Sequence, residues 1–384
     1  KGPKDPIHMG IISDFWGETH PVNLHHSGII THLLKTDIAV TLITGPLVKG
    51  NEQKEVESRY NVKPVSLSNN LKNSCATIKK LNLDLLLYTD IGMSPYTYFL
   101  GLARLAPVQV VKGGHPSTTG LKEIDYFVAP VHAEAIDAEK NYTEQLIKLK
   151  QTTSILRGWS YSKRKNPAII LDKKIVSIGI MHSLFKLSTD FDKALEELSE
   201  SENNIQFILF DSPKGTAEKI KSRWKKTAPK TLAKSIFYPT VELNEFIQTI
   251  YQLDIMLDPF YFGAGTVFYQ SVACGVPIIT MPSKYLKANV AKGGYKEMML
   301  TDAPIAKNKE EYVELCRILI RSEKQRKSLS KQIQEKAKSL MHPSYEGILE
   351  LESFIRDSIK YSRRGLKLDA TWKPINKNSI DSTN

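Results

Sequence analysis

Cysteine is scarce, and no spacing puts it to structural use. Cys75, Cys274 and Cys316 are the three cysteines of 384 residues, and no CxxC pair occurs. An odd and sparse set argues against a disulfide framework and against a structural zinc site. A reducing compartment, and hence a cytoplasmic location, is predicted.

Long apolar runs are missing as well. No stretch approaches the ~20 residues needed to cross a bilayer, so no transmembrane segment is expected. The polar start, residues 1–6, has no apolar signal core. The first residue is Lys1 rather than Met, so either a trimmed chain or a piece of a longer protein is expected.

Acidic residues are outnumbered by basic ones. The sequence has 53 Lys and Arg against 41 Asp and Glu, a net charge of +12. That balance first raises nucleic acid or an acidic membrane surface as a partner. No helix with clustered Arg and interleaved aromatics is visible, however, so no nucleic-acid partner is expected. The 41% hydrophobic and 24% charged content indicates a packed protein.

Short apolar runs alternate with helix-like segments in two series, as in parallel α/β sheets. A basic, turn-rich linker at residues 157–167 separates the series. Two doubly wound domains are predicted, with ligands at the carboxyl ends of the strands. The predicted strands are residues 7–12, 39–43, 83–88 and 107–111, then 174–181, 205–210, 235–238, 255–257 and 277–281.

The remaining segments are predicted to be helical or polar. Residues 28–34 and 97–105 have helical spacing, and Thr189 with Asp192 has the spacing of a capping box. A solvated helix is expected at 324–340, a helix with one apolar face at 345–362, and a frayed end after 369. The predicted division is a first domain at 1–160, a second at 168–343, a helix at 344–366 and a polar tail at 367–384.

A His-containing loop follows the first predicted strand. His20 in this loop is a natural proton acceptor near neutral pH. From the local sequence alone, a role in capping or hydrogen-bonding the loop is the favoured explanation, and a catalytic role is the alternative. His25 and His26 follow, but a pair of His without a third ligand is a weak metal signal.

Residues 113–120 read Gly-Gly-His-Pro-Ser-Thr-Thr-Gly, directly after a predicted strand. Glycines and hydroxyls at this position suit the close approach of a polar ligand. A tight turn that uses Gly and Pro for its dihedral angles explains them as well.

Lys186 lies between a predicted strand and a predicted helix start. A lysine near a helix N-terminus is well placed to meet a phosphate, although it is also one of many surface lysines.

A glycine-containing loop, residues 257–266, precedes a predicted helix at 267–273. Its backbone N–H groups and the helix dipole can hold a diphosphate. The loop is neither a Walker A sequence nor GxGxxG. Packing of Phe260, Tyr261 and Phe262 into a core is the other explanation.

Together these segments resemble the bacterial relatives of the O-linked N-acetylglucosamine transferase family. That family includes tetratricopeptide-repeat glycosyltransferases and the cytoplasmic N-glycosyltransferases that modify adhesins. The resemblance covers roughly residues 7–340 and rests on an ordered set of short motifs. These are DIGMSP at 90–95, RLAPVQ at 104–109, GHPSTT at 114–119, IDYF at 124–127, SLFK at 183–186, LDPF at 257–260 and GVPIITMP at 275–282.

The resemblance implies the GT-B fold. Two Rossmann-like, doubly wound parallel-sheet domains would face a cleft, and a C-terminal helix at 345–362 would cross back to the first domain. It also implies an inverting, metal-independent transfer from a UDP-sugar to a polypeptide side chain, Ser, Thr or Asn. No cofactor or metal is therefore expected beyond the donor.

The family's functional residues map onto this sequence position by position. His20 matches the active-site His, and Lys186 matches the lysine that neutralises the diphosphate leaving group. His115 matches a His near the donor or acceptor sugar. The nucleotide-binding positions are Gly263, Gly265 and Thr266, which match the phosphate-contacting turn, and Phe246, which falls where a ring lies against the base.

Two positions depart from the family pattern. Gln270 stands where an acidic residue binds the ribose hydroxyls, and Gln keeps hydrogen bonds but loses the charge. Val267 replaces the second hydroxyl of a Thr pair. A non-catalytic sugar-nucleotide-binding or assembly module is therefore an alternative.

The acceptor is the other open point. Many relatives engage proteins through helical repeats or a helical domain that this sequence does not contain, so acceptor docking is expected to need such a region or a partner chain. The same donor chemistry on a surface glycan or a phage DNA base is the second alternative.

Overall fold

The computed structural model describes residue 2 and residues 5–150, 167–341 and 345–374. The chain forms two compact units. The first unit takes Lys1–Val131, Ile136–Arg157 and His342–Asn384, and the second takes His132–Ala135 and Gly158–Met341. The predicted linker lies outside the described residues except for Pro167. The predicted domain limits stay predictions.

The first unit contains a seven-stranded parallel sheet of order β3-β2-β1-β4-β5-β6-β7. The order reverses between β1 and β4, which is where open α/β sheets bind ligands. Most strand residues are buried, because helices cover both faces of a parallel sheet. The strands are β1 His8–Ser13, β2 Ala39–Thr44, β3 Val65–Ser66, β4 Leu85–Tyr88, β5 Val108–Lys112, β6 Tyr126–Pro130 and β7 Gln145–Leu149.

The helices between these strands begin with local signals. Asn70 and Ser94 cap their helices through side-chain oxygens, and Pro95 occupies the first turn. The fourth helix ends at Leu100, five residues before the predicted end at 105. The helices are α1 Pro21–Leu33, α2 Asn51–Tyr60, α3 Leu71–Lys80 and α4 Pro95–Leu100.

The second unit contains a five-stranded parallel sheet of order β10-β9-β8-β11-β12. The order reverses between β8 and β11. The strands are β8 Val176–Ile180, β9 Ile205–Phe210, β10 Ser235–Tyr238, β11 Ile255–Leu257 and β12 Ile278–Ile279.

Nine helices of the second unit fall within its described residues. Ser188, not the predicted Thr189, caps the first of them by accepting a hydrogen bond from the Phe191 amide. They are α5 Thr189–Ser201, α6 Thr216–Thr227, α7 Pro229–Ala233, α8 Leu243–Ile250, α9 Thr266–Ala273, α10 Val290–Glu297, α11 Lys309–Arg321, α12 Glu323–Lys336 and α13 Lys338–Met341.

The last helix, α14, spans Tyr345–Ser362 as predicted and packs in the first unit. Its buried side chains share one apolar core with β1, β4, β5 and α1. Leu368 and Trp372, from the segment predicted as a polar tail, join this core, with the rings of Trp372 and Phe354 5.7 Å apart. The helix side chains in the core are Ile348, Leu351, Phe354, Ile355 and Ile359.

Among the described residues, no helix is long and apolar enough to cross a membrane.

Candidate active site

His20 lies in the loop after β1 and is the N-cap of α1. Its Nδ1 accepts the Val22 N–H at 3.3 Å, and its ring stacks on Phe15 with centroids 4.6 Å apart. Burial lowers its pKa below the usual value, so the ring is neutral at pH 7. Because Nδ1 accepts a hydrogen bond, we assign the ring proton to Nε2.

Polar side chains link the loops after β1 and β4, the two strands at the switch point. The Asp90 carboxylate accepts the Ser13 hydroxyl at 3.1 Å and the Asp14 amide at 2.6 Å. The Asp14 carboxylate in turn accepts the Ser94 hydroxyl. Burial raises the pKa of Asp90 to about 7. These hydrogen bonds hold the loop after β1 and the loop after β4 together.

His115 lies against this network in the loop after β5. Gly92, with φ of 90°, has no room for a side chain, because a Cβ there would lie 2.6 Å from the Cβ of His115. Gly114, with φ of 68°, similarly brings the His115 loop to within van der Waals contact of the Asp90 backbone. Gly92 and Gly114 therefore allow the loop after β4 and the loop after β5 to approach each other closely.

Lys186 follows β8 in the second unit. Its ammonium donates to the Gly263 carbonyl at 3.0 Å and lies 4.0 Å from the centre of the Phe262 ring. Burial lowers its pKa to about 8, and the negative charge of Asp258 opposes that shift. The cation is therefore held against the glycine loop that precedes α9.

The loop itself is organised by Asp258, the residue that follows β11. Asp258 is fully buried and accepts the Ala264 amide at 2.6 Å and the Thr280 hydroxyl at 2.7 Å. A Cβ on Gly263 would lie 2.7 Å from both carboxylate oxygens, so this position requires glycine. Burial raises the pKa of Asp258 to about 6.

The loop ends at α9, whose N-cap is Gly265 and whose first residue is Thr266. The N-cap Gly265 has no side chain with which to cap this helix, and no atom lies within 4 Å of the position that a Cβ on Gly265 would take. An uncapped helix start carries partial positive charge and suits an anion. Gln270, on the same helix, is only 4% exposed.

Phe246 lies on α8 and contacts Phe210, the last residue of β9, with ring centroids 5.4 Å apart. The Phe210 ring also contacts Tyr238, the last residue of β10, with ring centroids 5.9 Å apart. Phe246 is therefore at the carboxyl edge of the sheet that carries Lys186, two strands away from β11.

The structure thus brings Lys186 into contact with Gly263, and Gly265 and Thr266 continue the same loop. His20 and His115 belong to loops of the first unit. Sequence reasoning missed Asp258 and Asp90 as organising residues, and Lys112 as a buried cation. A polar residue directly after an apolar strand is the signal that could have found the first two. Across the described residues, no group of three or more His, Cys, Asp or Glu could hold a metal ion.

Known proteins resemble the chain in sequence. It is 26% identical over 256 residues to a UDP-glucose:protein N-beta-glucosyltransferase of Actinobacillus pleuropneumoniae, covering 64% of this chain and 40% of the relative. It is 24% identical over 325 residues to the probable UDP-N-acetylglucosamine--peptide N-acetylglucosaminyltransferase SPINDLY of Arabidopsis thaliana, covering 82% of this chain and 35% of the relative. The chain spans about two fifths or less of these relatives. No family model matches it.

Solved structures agree on the architecture. An O-GlcNAc transferase of Thermobaculum terrenum superposes with a TM-score of 0.79 at 16% identity, covering 95% of this chain and 69% of that one. The chain has the GT-B fold. The UDP complex of Staphylococcus aureus MnaA matches with a TM-score of 0.53 at 13% identity, over 96% of this chain and 99% of that one. The resemblance inferred from the motifs is confirmed, and so is the fold that it implied.

Proposed function

We propose that this GT-B chain transfers a sugar from a UDP-sugar to a protein side chain, with inversion and without a metal. The observation that carries the proposal is the contact between the Lys186 ammonium and the glycine loop at the start of α9. A partly buried cation beside an uncapped helix start supplies positive potential where a diphosphate would take up charge. A UDP-sugar donor and a protein acceptor are supported by the relatives, a UDP-glucose:protein N-beta-glucosyltransferase and a probable UDP-N-acetylglucosamine--peptide N-acetylglucosaminyltransferase.

The proposed reaction is a single in-line displacement. The acceptor oxygen or nitrogen forms a bond to the anomeric carbon as the bond to the diphosphate oxygen breaks. The electron pair of the broken bond leaves with UDP, where Lys186 and the amides of the loop stabilise it. His20 is assigned to the acceptor side. Its Nε2–H donates a hydrogen bond that orients the acceptor, and the acceptor proton leaves to solvent or to a carboxylate.

A donor panel tests the proposal directly. The chain is incubated with UDP-glucose, UDP-N-acetylglucosamine, UDP-galactose and UDP-N-acetylgalactosamine together with Ser/Thr and Asn peptide libraries. A mass gain of one hexose or N-acetylhexosamine on a peptide is the expected result. Binding of UDP without any transfer would favour the non-catalytic module. In parallel incubations with polysaccharide and with DNA, a sugar found only on one of these acceptors would replace the protein acceptor in the proposal.

Lys186→Met is the decisive variant of that assay. Loss of the cation should lower turnover by roughly 10²-fold or more, because the charge on the leaving group would go uncompensated. Lys327→Met is the matched control, since Lys327 is exposed on α12 and pairs with Glu323, which is also exposed. Turnover of Lys186→Met within about threefold of the parent would contradict the role of Lys186.

A further inference from the structure

Asp258 is a buried carboxylate beside the proposed diphosphate-binding loop, and no predicted role uses it. It accepts the Ala264 amide, and the adjacent Gly263 carbonyl accepts the Lys186 ammonium. Two hydrogen bonds through neighbouring residues therefore connect the carboxylate to the cation. Any movement of Asp258 would move the carbonyl to which Lys186 binds.

The groups around this pair are neutral near pH 7 or paired elsewhere. His182, whose Nε2 lies 3.8 Å from an Asp258 oxygen, has its pKa lowered to about 3 by burial. Tyr295 and Tyr312, from α10 and α11, have pKa values raised by burial and stay protonated.

A further charged side chain near Lys186 comes from α6. Arg223 donates to the Leu187 carbonyl next to Lys186, but its guanidinium is paired with Asp192. Asp258 and Lys186 are therefore the two groups whose charges act on each other here. A buried lysine without a counter-charge loses its proton readily, whereas a nearby carboxylate offsets the cost of burial.

We propose that Asp258 is a positioning residue for Lys186: it holds the Gly263–Ala264 turn that binds the ammonium, and its negative charge keeps the ammonium protonated. The inference rests on the proposed function, in which Lys186 neutralises the diphosphate. UDP binding should then be strongest where Asp258 is ionised and Lys186 protonated, between about pH 6 and about pH 8. Above that window the cation is lost, and below it the carboxylate is lost.

The test measures the protonation of Lys186 itself. The chain is pulse-labelled with acetic anhydride across pH 6–11, and the acetylated Lys186 peptide is quantified by mass spectrometry. UDP affinity is measured by calorimetry over the same pH range where the chain stays folded. The variants are Asp258→Asn, which keeps the shape and loses the charge, and Thr280→Val, which keeps the charge and loses one hydrogen bond to it.

The midpoint of Lys186 labelling is expected near pH 8 in the parent chain. In Asp258→Asn it should fall by about one unit, so UDP affinity at pH 7.5 should fall severalfold and recover at lower pH. Thr280→Val should leave the midpoint near that of the parent. A midpoint that Asp258→Asn does not move, or that both variants move equally, overturns the inference.

Two further measurements keep the result interpretable. If the parent chain binds no UDP at any pH, the proposed function fails, while the labelling still decides the link between Asp258 and Lys186. If Asp258→Asn does not fold, Lys186→Met supplies the reciprocal experiment. Removal of the cation should raise the pKa of Asp258 above about 6 in a carboxyl-carbon NMR titration. An unchanged Asp258 titration contradicts the coupling.

Discussion

His20 combines a structural contact with the role proposed for it, and two substitutions separate them. His20→Ala removes the cap of α1 and should cost about 1 kcal/mol of unfolding free energy, whereas His20→Asn keeps a side-chain acceptor for the Val22 amide and should cost little. Both should lower turnover by roughly 10²-fold, because both lose the Nε2–H that orients the acceptor. Urea unfolding and the peptide-transfer assay measure the two effects.

Phe15→Leu is the control for the ring that His20 stacks on. It changes the packing of the imidazole and leaves its hydrogen bonds in place. If His20→Asn retained turnover within about threefold of the parent, His20 would be a cap and nothing more.

Lys112 gives a prediction about stability and pH. It is 5% exposed at the end of β5, and within the described ranges no acidic group pairs with its ammonium. Burial lowers its pKa to about 7, below the value near 10.4 of an unfolded chain. Below pH 7 the folded state contains a buried positive charge, which lowers the free energy of unfolding. This loss of stability becomes smaller as the pH rises from about 7 toward 10.

Lys112→Met should therefore stabilise the chain, and more at pH 6 than at pH 9. The difference should be on the order of 2–3 kcal/mol, since each pH unit between 7 and 9 changes the penalty by about 1.4 kcal/mol. Urea unfolding at both pH values measures it, with the exposed Lys79→Met on α3 as control. Equal stabilisation at both pH values would show that the pKa of Lys112 is not lowered in the folded chain.

The sequence predicted residues that follow strands and missed residues whose role depends on burial. His20 and Lys186 could be named because a polar loop after an apolar run marks the edge of a parallel sheet. Asp258 and Lys112 follow or end strands too, but their pKa values are perturbed by burial, which no local sequence pattern shows. Asp192 had capping-box spacing, yet packing turned its carboxylate inward onto Arg223 and Trp224.

At the scale of elements, the strands that could be predicted were those with a clear apolar run. The predicted limits of β9, β10 and β11 are those of the structure, because each is a short apolar run between turn residues. The predicted strand at 277–281 shrinks to Ile278–Ile279, and β3, β6 and β7 were not predicted. β3 is only two residues long, and β6 ends in Pro130, a residue that usually argues against a strand.

The contact between α5 and α6 depends on Asp192. This carboxylate is fully buried, pairs with Arg223 at 2.8 Å and accepts the Trp224 indole N–H at 2.7 Å. Asp192→Ala should cost roughly 2–4 kcal/mol of unfolding free energy, since it leaves a cation and a donor without their partner. Thermal or urea unfolding measures the loss. Trp224→Phe, which removes one donor and keeps the ring packing, should cost clearly less, and equal losses would contradict the ion-pair argument.

At the scale of the whole molecule, the net charge of +12 does not describe a single positive surface. Lys186 and Lys112 are removed from the surface by packing, and many other basic side chains pair with neighbouring acids. Arg317 pairs with Glu197, for example, and Arg356 with Glu352. Such pairs between exposed side chains contribute little to stability individually. The charge that matters for the proposed reaction is therefore local, and composition alone could not locate it.

The core of the first unit is completed by α14, a helix near the C-terminal end of the sequence. The apolar face of α14 was predictable from its spacing, but the core it joins was not, because contacts across more than 200 residues leave no local trace. A chain that ends at Met341 should therefore expose the amides of β1, β4 and β5 to hydrogen exchange, while those of β8 and β9 in the second unit keep their protection.

Phe354→Ala tests the same dependence with a point substitution and should cost about 3–5 kcal/mol of unfolding free energy, since the side chain is fully buried between Tyr126 and Trp372.

For the chain that ends at Met341, a chain that ends at residue 374 is the control for shortening. The exchange pattern, read by mass spectrometry for each strand, distinguishes a local from a global effect. Unchanged protection of β1 and β4 in the chain ending at Met341 would mean that the first unit's core is stable without α14. Equal loss in both units would mean that their stabilities are coupled.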